Sequence, residues 1–162
     1  MSLSAVTNDQ IRVLQQVRDI ARTIPDSTGE TYENTLSAIC LTESSAGKNL
    51  IGDFKTDVII TKASLGVLQI QVATARYVSK RVPSLAWLLK LDDAKIANKL
   101  LTDIELSARI AAHYLVILKE RRGHYFNTVS GYNGGMSNRP YFNRVMKNME
   151  LVKKLVENGR LI

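Results

Sequence analysis

The stretch from Asp103 to Gly123, DIELSARIAAHYLVILKERRG, decides the fold. Ile104, Ala108, Ala111, Leu115 and Leu118 recur at steps of three or four, so they share one helical face, and Gly123 supplies the stop. This predicts a long central strut. Helical spacing continues on both sides of it. Upstream, Ile11, Leu14, Val17, Ala21 and Ile24 follow Thr7-Asn8-Asp9 and end at Pro25, and a second helix runs from about Tyr32 to Glu43 with Tyr32, Leu36, Ile39 and Cys40 on its stripe. Further helices are expected over Gln71 to Val82, broken by Pro83, and over Leu85 to Leu91 with Trp87, before Asp92 or Asp93 caps the next segment. Downstream, a short helix reaches Tyr132, Gly134-Gly135 turns the chain, and Pro140 opens a last helix carrying Val145, Met149, Val152 and Leu155, closed by Gly159. The one exception lies between Gly47 and Thr61. There Asp57-Val58-Ile59-Ile60-Thr61 is rich in β-branched residues and predicts a short hairpin or flap. The reading is a mainly α, α+β arrangement in one domain, residues 1–162.

Composition bounds the function. In 162 residues, 45% are hydrophobic and 23% charged, which excludes a disordered or collagen-like chain. The most apolar run, Ile110 to Leu118, is far shorter than the roughly 18 residues that span a bilayer, so no transmembrane segment is expected. Met1 to Ala21 has no basic segment leading into an apolar run, so no signal peptide is visible. A single Cys40 forms no internal disulfide, and His113 with His124 makes no zinc ligand set, so neither metal nor cofactor is expected. A formal charge of +7 favours polyanions such as nucleic acid, anionic lipid or an envelope polymer. A nucleic-acid binder would concentrate arginines on a recognition helix, and no segment here does so. Arg121-Arg122, Lys147, Lys153-Lys154 and Arg160 read as solvated faces.

Three short segments could carry chemistry. Glu43 follows Ile39 by four residues and Cys40 by three, beside a core-facing stripe and at a helix C-terminus, where burial and the dipole both disfavour the anion and favour a protonated acid. The alternative is a Glu that bends into solvent or pairs with Lys48. Gly66-Val67-Leu68-Gln69 offers an amide able to donate to and accept from a sugar, or else a plain glycine turn. Tyr132-Asn133-Gly134-Gly135 places a phenol and an amide at a helix end, where a ligand can approach, or else a helix stop with Tyr132 in the core.

In order along the chain, Glu43-Ser44-Ser45-Ala46-Gly47, Gly66-Val67-Leu68-Gln69-Ile70 and Gly131-Tyr132-Asn133-Gly134-Gly135 resemble the Glu-Ser, Gly-Leu-Met-Gln and Ala-Tyr-Asn motifs of the soluble-lytic-transglycosylase domain. Thr74-Ala75 and Tyr114-Leu115 extend the resemblance over roughly Leu36 to Val145. Val67 and Leu68 stand for the family's Leu and Met, and Gly131 for its Ala. The resemblance implies a lysozyme-like fold and cleavage of the β-1,4 bond between N-acetylmuramic acid and N-acetylglucosamine in peptidoglycan. By carry-over Glu43 acts as acid and then base, so that the C6 hydroxyl closes a 1,6-anhydro ring. Tyr132 would hydrogen-bond Glu43, Gln69 would bind the substrate, and Asn133 would support that end of the site. Ser44 and Ser64 enter as a local cap and a contact to an acetamido group. Glu43 to Asp53 is also similar to goose-type lysozyme, which implies a hydrolytic alternative with Asp53 or Asp57 activating water. A member that binds glycan without cutting it is a third reading, against which the presence of Glu43, Gln69 and Tyr132 argues. The partner implied is the glycan strand, with no nucleic acid, in the periplasm or cell envelope or on a phage virion, alone or within a larger assembly.

Overall fold

A computed structural model describes residues 2–52 and 59–162. Its helices are α1 (Asn8–Ala21), α2 (Glu33–Ser44), α3 (Val72–Ser79), α4 (Asp93–Thr102), α5 (Ile104–Arg122), α6 (Tyr125–Tyr132) and α7 (Arg139–Glu157). A two-stranded antiparallel sheet, β1 (Ile51–Gly52) with β2 (Ser64–Leu65), pairs Ile51 with Leu65 and Gly52 with Ser64. The mainly α, lysozyme-like expectation holds.

Local signals explain most boundaries. Thr7 and Gln10 close a reciprocal capping box over α1. Asp92 and Asp103 each accept a backbone N–H at the starts of α4 and α5, and Gly123, with φ 75°, ends α5 in the left-handed conformation. Pro83 starts a 3-10 helix over Pro83–Lys90 in place of the expected α-helical turn. Leu85 and Leu88, three apart, both face the core there while Trp87 points outward, which is the three-residue period of a 3-10 helix.

Two expectations need correction in part. The short hairpin expected between the Glu and Gln motifs is present with its paired residues at 51–52 and 64–65; of the β-rich run, Ile60 and Thr61 lie in a 3-10 turn, Ile60–Lys62, and Asp57-Val58 lie outside the described residues. Ile59 and Ile60 are 62% and 39% exposed, so β-branched character without a neighbour to pack against did not fix a strand. Asp53 and Asp57 lie outside the described residues. The second correction concerns the strut. α5 packs on α1, α4 and α6, but the most enclosed helix is α2, between α1 and α7, with every residue from Thr35 to Leu41 buried. Ala38 and Leu41 are buried beside the stripe of Leu36, Ile39 and Cys40, as a helix enclosed by neighbours on several sides requires.

Two of the basic side chains read as solvated are bound into the fold. Arg160 donates to the carbonyls of Leu3 and Val6, and Arg122 to those of Asn127 and Gly135. Lys153 lies 3.9 Å from Glu150 with both side chains more than half exposed, as expected of a solvated face.

Candidate active site

Glu43 sits on the last turn of α2, one residue before its end. Ser45 and Ala46 follow in the left-handed region with φ of 52° and 54°, and the Ala46 N–H returns to the Cys40 carbonyl at 3.2 Å, turning the chain away at once. The buried Gln10 amide holds this end from α1, donating to the Ser45 carbonyl at 2.9 Å.

The turn Gly66–Gln69 is fastened to two other parts of the chain. The Ser44 hydroxyl donates to the Val67 carbonyl at 2.6 Å, and the Tyr132 hydroxyl donates to the Leu68 carbonyl at 2.7 Å. Consecutive carbonyls of one turn therefore tie the ends of α2 and α6 together. Gly66 is required by space as well as by its φ of 79°, since a Cβ there would collide with the Leu100 carbonyl. Gln69 closes the turn in the left-handed region, φ 50°, and its amide nitrogen donates to the Gly66 carbonyl at 2.9 Å.

These elements enclose a cavity of about 420 Å³ lined by Glu43, Ser64, Gln69, Tyr132 and Asn133, with Thr74 and Tyr114 on its wall. Five of the six site residues read from the sequence thus meet in one place. Ser44 does not. It is fully buried and spends its hydroxyl on Val67 while accepting the Gly47 N–H at 2.9 Å, so it is a cap beneath the site and no substrate contact. The Tyr132 hydroxyl was expected to bond Glu43, and the structure turns it to Leu68 because that carbonyl faces the end of α6.

The phenol on Glu43 comes from Tyr141, whose hydroxyl donates to Oε1 at 2.7 Å. Tyr141 is buried, and burial first, then the charge of Glu43, push its phenol far above its ordinary range, so it remains an O–H donor. The same two causes raise Tyr132. Asn138 links this pair to the cavity edge: it accepts the Tyr141 N–H at 3.1 Å and donates to the Asn133 side-chain oxygen at 3.0 Å. Sequence reading missed Tyr141, although a signal existed. Carrying the stripe of Val145, Met149, Val152 and Leu155 back by one turn lands on it, and a tyrosine on a buried stripe needs a partner for its hydroxyl.

Glu43 is the sole acidic residue on the cavity wall among the described residues, and neither histidine reaches it. A carboxyl held by a phenol at the end of a buried helix, beside a cavity lined with amide and hydroxyl groups, is an arrangement able to hold a sugar and to move a proton. The family model described as Transglycosylase SLT domain matches residues 25–150. The chain belongs to that family of peptidoglycan lytic transglycosylases. No curated protein and no solved structure gives a significant match. Among the described residues no helix is long and apolar enough to cross a membrane.

Proposed function

We propose that this chain, acting as one domain, cleaves the β-1,4 bond between N-acetylmuramic acid and N-acetylglucosamine in peptidoglycan, in the periplasm or cell envelope or from a phage virion, and that its product carries a 1,6-anhydro ring. The observation that carries this reading is Glu43 on the cavity wall, its carboxyl held by Tyr141, in a chain that matches the Transglycosylase SLT domain. With Oε1 held by Tyr141, the carboxyl of Glu43 carries the proton to be transferred. It moves to the glycosidic oxygen as the C1–O bond breaks, and the muramic C1 takes up positive charge. The C6 hydroxyl then attacks C1 and gives its proton to the Glu43 carboxylate, which restores the acid without consuming water. One carboxylate does both steps, whereas an inverting hydrolase needs a second one about 6.5–9.5 Å away to activate water.

The other residues bind and position. Gln69 and Asn133 offer amide groups to the sugar, Ser64 a hydroxyl to an acetamido group, and Tyr132 supports the Gln69 turn through Leu68. Tyr141 fixes the carboxyl. The test is mass spectrometry of digested peptidoglycan, where anhydro products are lighter than hydrolysis products by one water. Reducing-end muramic acid as the main product would overturn the transglycosylase reading. Loss of that activity in Asp53→Asn or Asp57→Asn would then identify a water-activating carboxylate.

A further inference from the structure

A second cavity of about 410 Å³ adjoins the first, and the two share Thr74 and Tyr114 in their walls. Three aromatic rings run from one to the other. Tyr132 and Tyr114 have centroids 5.8 Å apart, and Tyr114 and Tyr77 6.1 Å apart. At the far end, Tyr77 is flanked by guanidinium groups: Arg81 lies 3.6 Å from its ring centroid and Arg121 5.5 Å. Arg121 and Arg122 line the cavity wall, and Nη1 of Arg122 is already committed to the carbonyls of Asn127 and Gly135. Among the described residues no Asp or Glu lines this cavity, and Arg121 makes no ion pair.

We infer that this second cavity is a subsite for the carboxylate of the stem peptide carried by a muramic acid residue next to the cleaved bond, with Arg121 as its anion contact and Tyr77 as its floor. The aromatic run gives the strand apolar faces to lie on between the two cavities, and the arginine end supplies positive charge with no Asp or Glu beside it on the wall among the described residues. Arg81, 3.6 Å from the Tyr77 centroid, takes that ring's face, which leaves the N–H edges of Arg121, 5.5 Å away, to a carboxylate. Arg122 holds the Gly135 side of the turn that presents Asn133, so this arginine couples the peptide subsite to the cleavage cavity.

The inference rests on the proposed cleavage of peptidoglycan, and the test separates the two. KM and kcat are measured for the wild type and Arg121→Gln on three substrates: glycan strands bearing stem peptides, the same strands with peptide carboxylates converted to amides, and strands stripped of peptide. Arg121→Gln should raise KM about fivefold on the first, the size of one exposed charge-assisted contact, and its ratio to wild type should fall to near one on the other two. An equal ratio on all three substrates, or no effect on the first, overturns the subsite. A fivefold effect on stripped strands with none on peptide-bearing ones assigns the contact to the lactyl carboxylate, which is free only where the peptide has been removed, and overturns the peptide assignment. Failure of the wild type to cleave any of them would remove the cleavage reading instead.

Discussion

Two carboxylates in this molecule accept a tyrosine hydroxyl at almost the same distance, and only one of them faces a cavity. Asp26, in the turn between α1 and α2, takes the Tyr32 hydroxyl at 2.6 Å, the Thr28 hydroxyl at 2.6 Å, and the backbone N–H groups of Thr28 at 2.8 Å and Glu30 at 3.0 Å. Those donors, Thr28 first and Tyr32 next, hold its carboxyl far below the usual carboxylate range. It is a permanently charged clasp on the chain leading into α2. Glu43, at the other end of the same helix, takes the Tyr141 hydroxyl at 2.7 Å and opens on the cavity. A tyrosine bond therefore does not mark a reactive carboxyl. What distinguishes the two is whether the structure uses the carboxyl to close a turn or presents it to a ligand.

The strongest test of that distinction is Glu43→Gln. The amide keeps an acceptor for Tyr141 but cannot cycle a proton, so wall cleavage should fall by about 10²–10⁴-fold. The melting temperature should stay close to wild type. Turbidity loss of purified peptidoglycan, read beside a thermal melt, checks both. Substantial lysis by a folded variant would return Glu43 to the structural class.

The paired phenol variants sharpen the comparison. Tyr141→Phe should cost about tenfold in kcat, because Glu43 loses the donor that fixes its carboxyl, while KM stays near wild type. Tyr32→Phe should do the reverse, costing about 1–2 kcal/mol of stability and leaving kcat alone, since its hydroxyl closes a turn remote from the cavity. Steady-state kinetics and denaturant melts on the two variants should therefore cross over. If both lose only stability, Tyr141 is a second structural clasp.

Asp26→Asn adds a pH dimension. A carboxyl whose folded pKa is depressed contributes stability that is fully present above its unfolded value of about 3.9 and disappears as pH falls through the folded one. The variant should be less stable than wild type by a constant margin near neutrality, and the margin should close only in strong acid. Chemical denaturation across that range reads it directly. A margin that instead closed between pH 6 and 8 would mean that a different group titrates with the fold.

Legibility followed the kind of interaction. The helices came through because Thr7, Asp92, Asp103 and Gly123 act within a few residues of themselves, and the Glu43 and Tyr132 motifs could be placed at helix ends for the same reason. The links between them could not. Ser44 to Val67, Tyr132 to Leu68 and Tyr141 to Glu43 join residues 23, 64 and 98 positions apart, and a carbonyl carries no side-chain signature to announce that it is an acceptor. The register of the short sheet was hidden for a related reason. A Cβ at Gly52 would meet the Gln69 amide and one at Gly66 the Leu100 carbonyl, and β propensity announces neither contact.

The smallest expected effect tests where each region keeps its backbone strain. The Asp26 turn has Gly29 at its left-handed position, φ 89°, which costs little. The end of α2 instead places Ser45 and Ala46 there, beside Glu43. For an L residue this conformation costs about 1–2 kcal/mol, and glycine gives back roughly 0.4–1 kcal/mol of that through its freer unfolded chain. Ser45→Gly should thus stabilise the protein by about 0.5 kcal/mol on these opposing terms. The contacts of Ser45 that hold α2 are its N–H to Leu41 and its carbonyl to Gln10, and both survive the change. Ala46→Gly should gain nothing, because Ala46 is 3% exposed and its buried methyl is worth about 0.8 kcal/mol. A small rise in melting temperature for the first variant alone would show strain held at the reactive end of α2 and absent from the Asp26 turn, and a fall for Ser45→Gly would show that the left-handed turn is fully relaxed in the native chain.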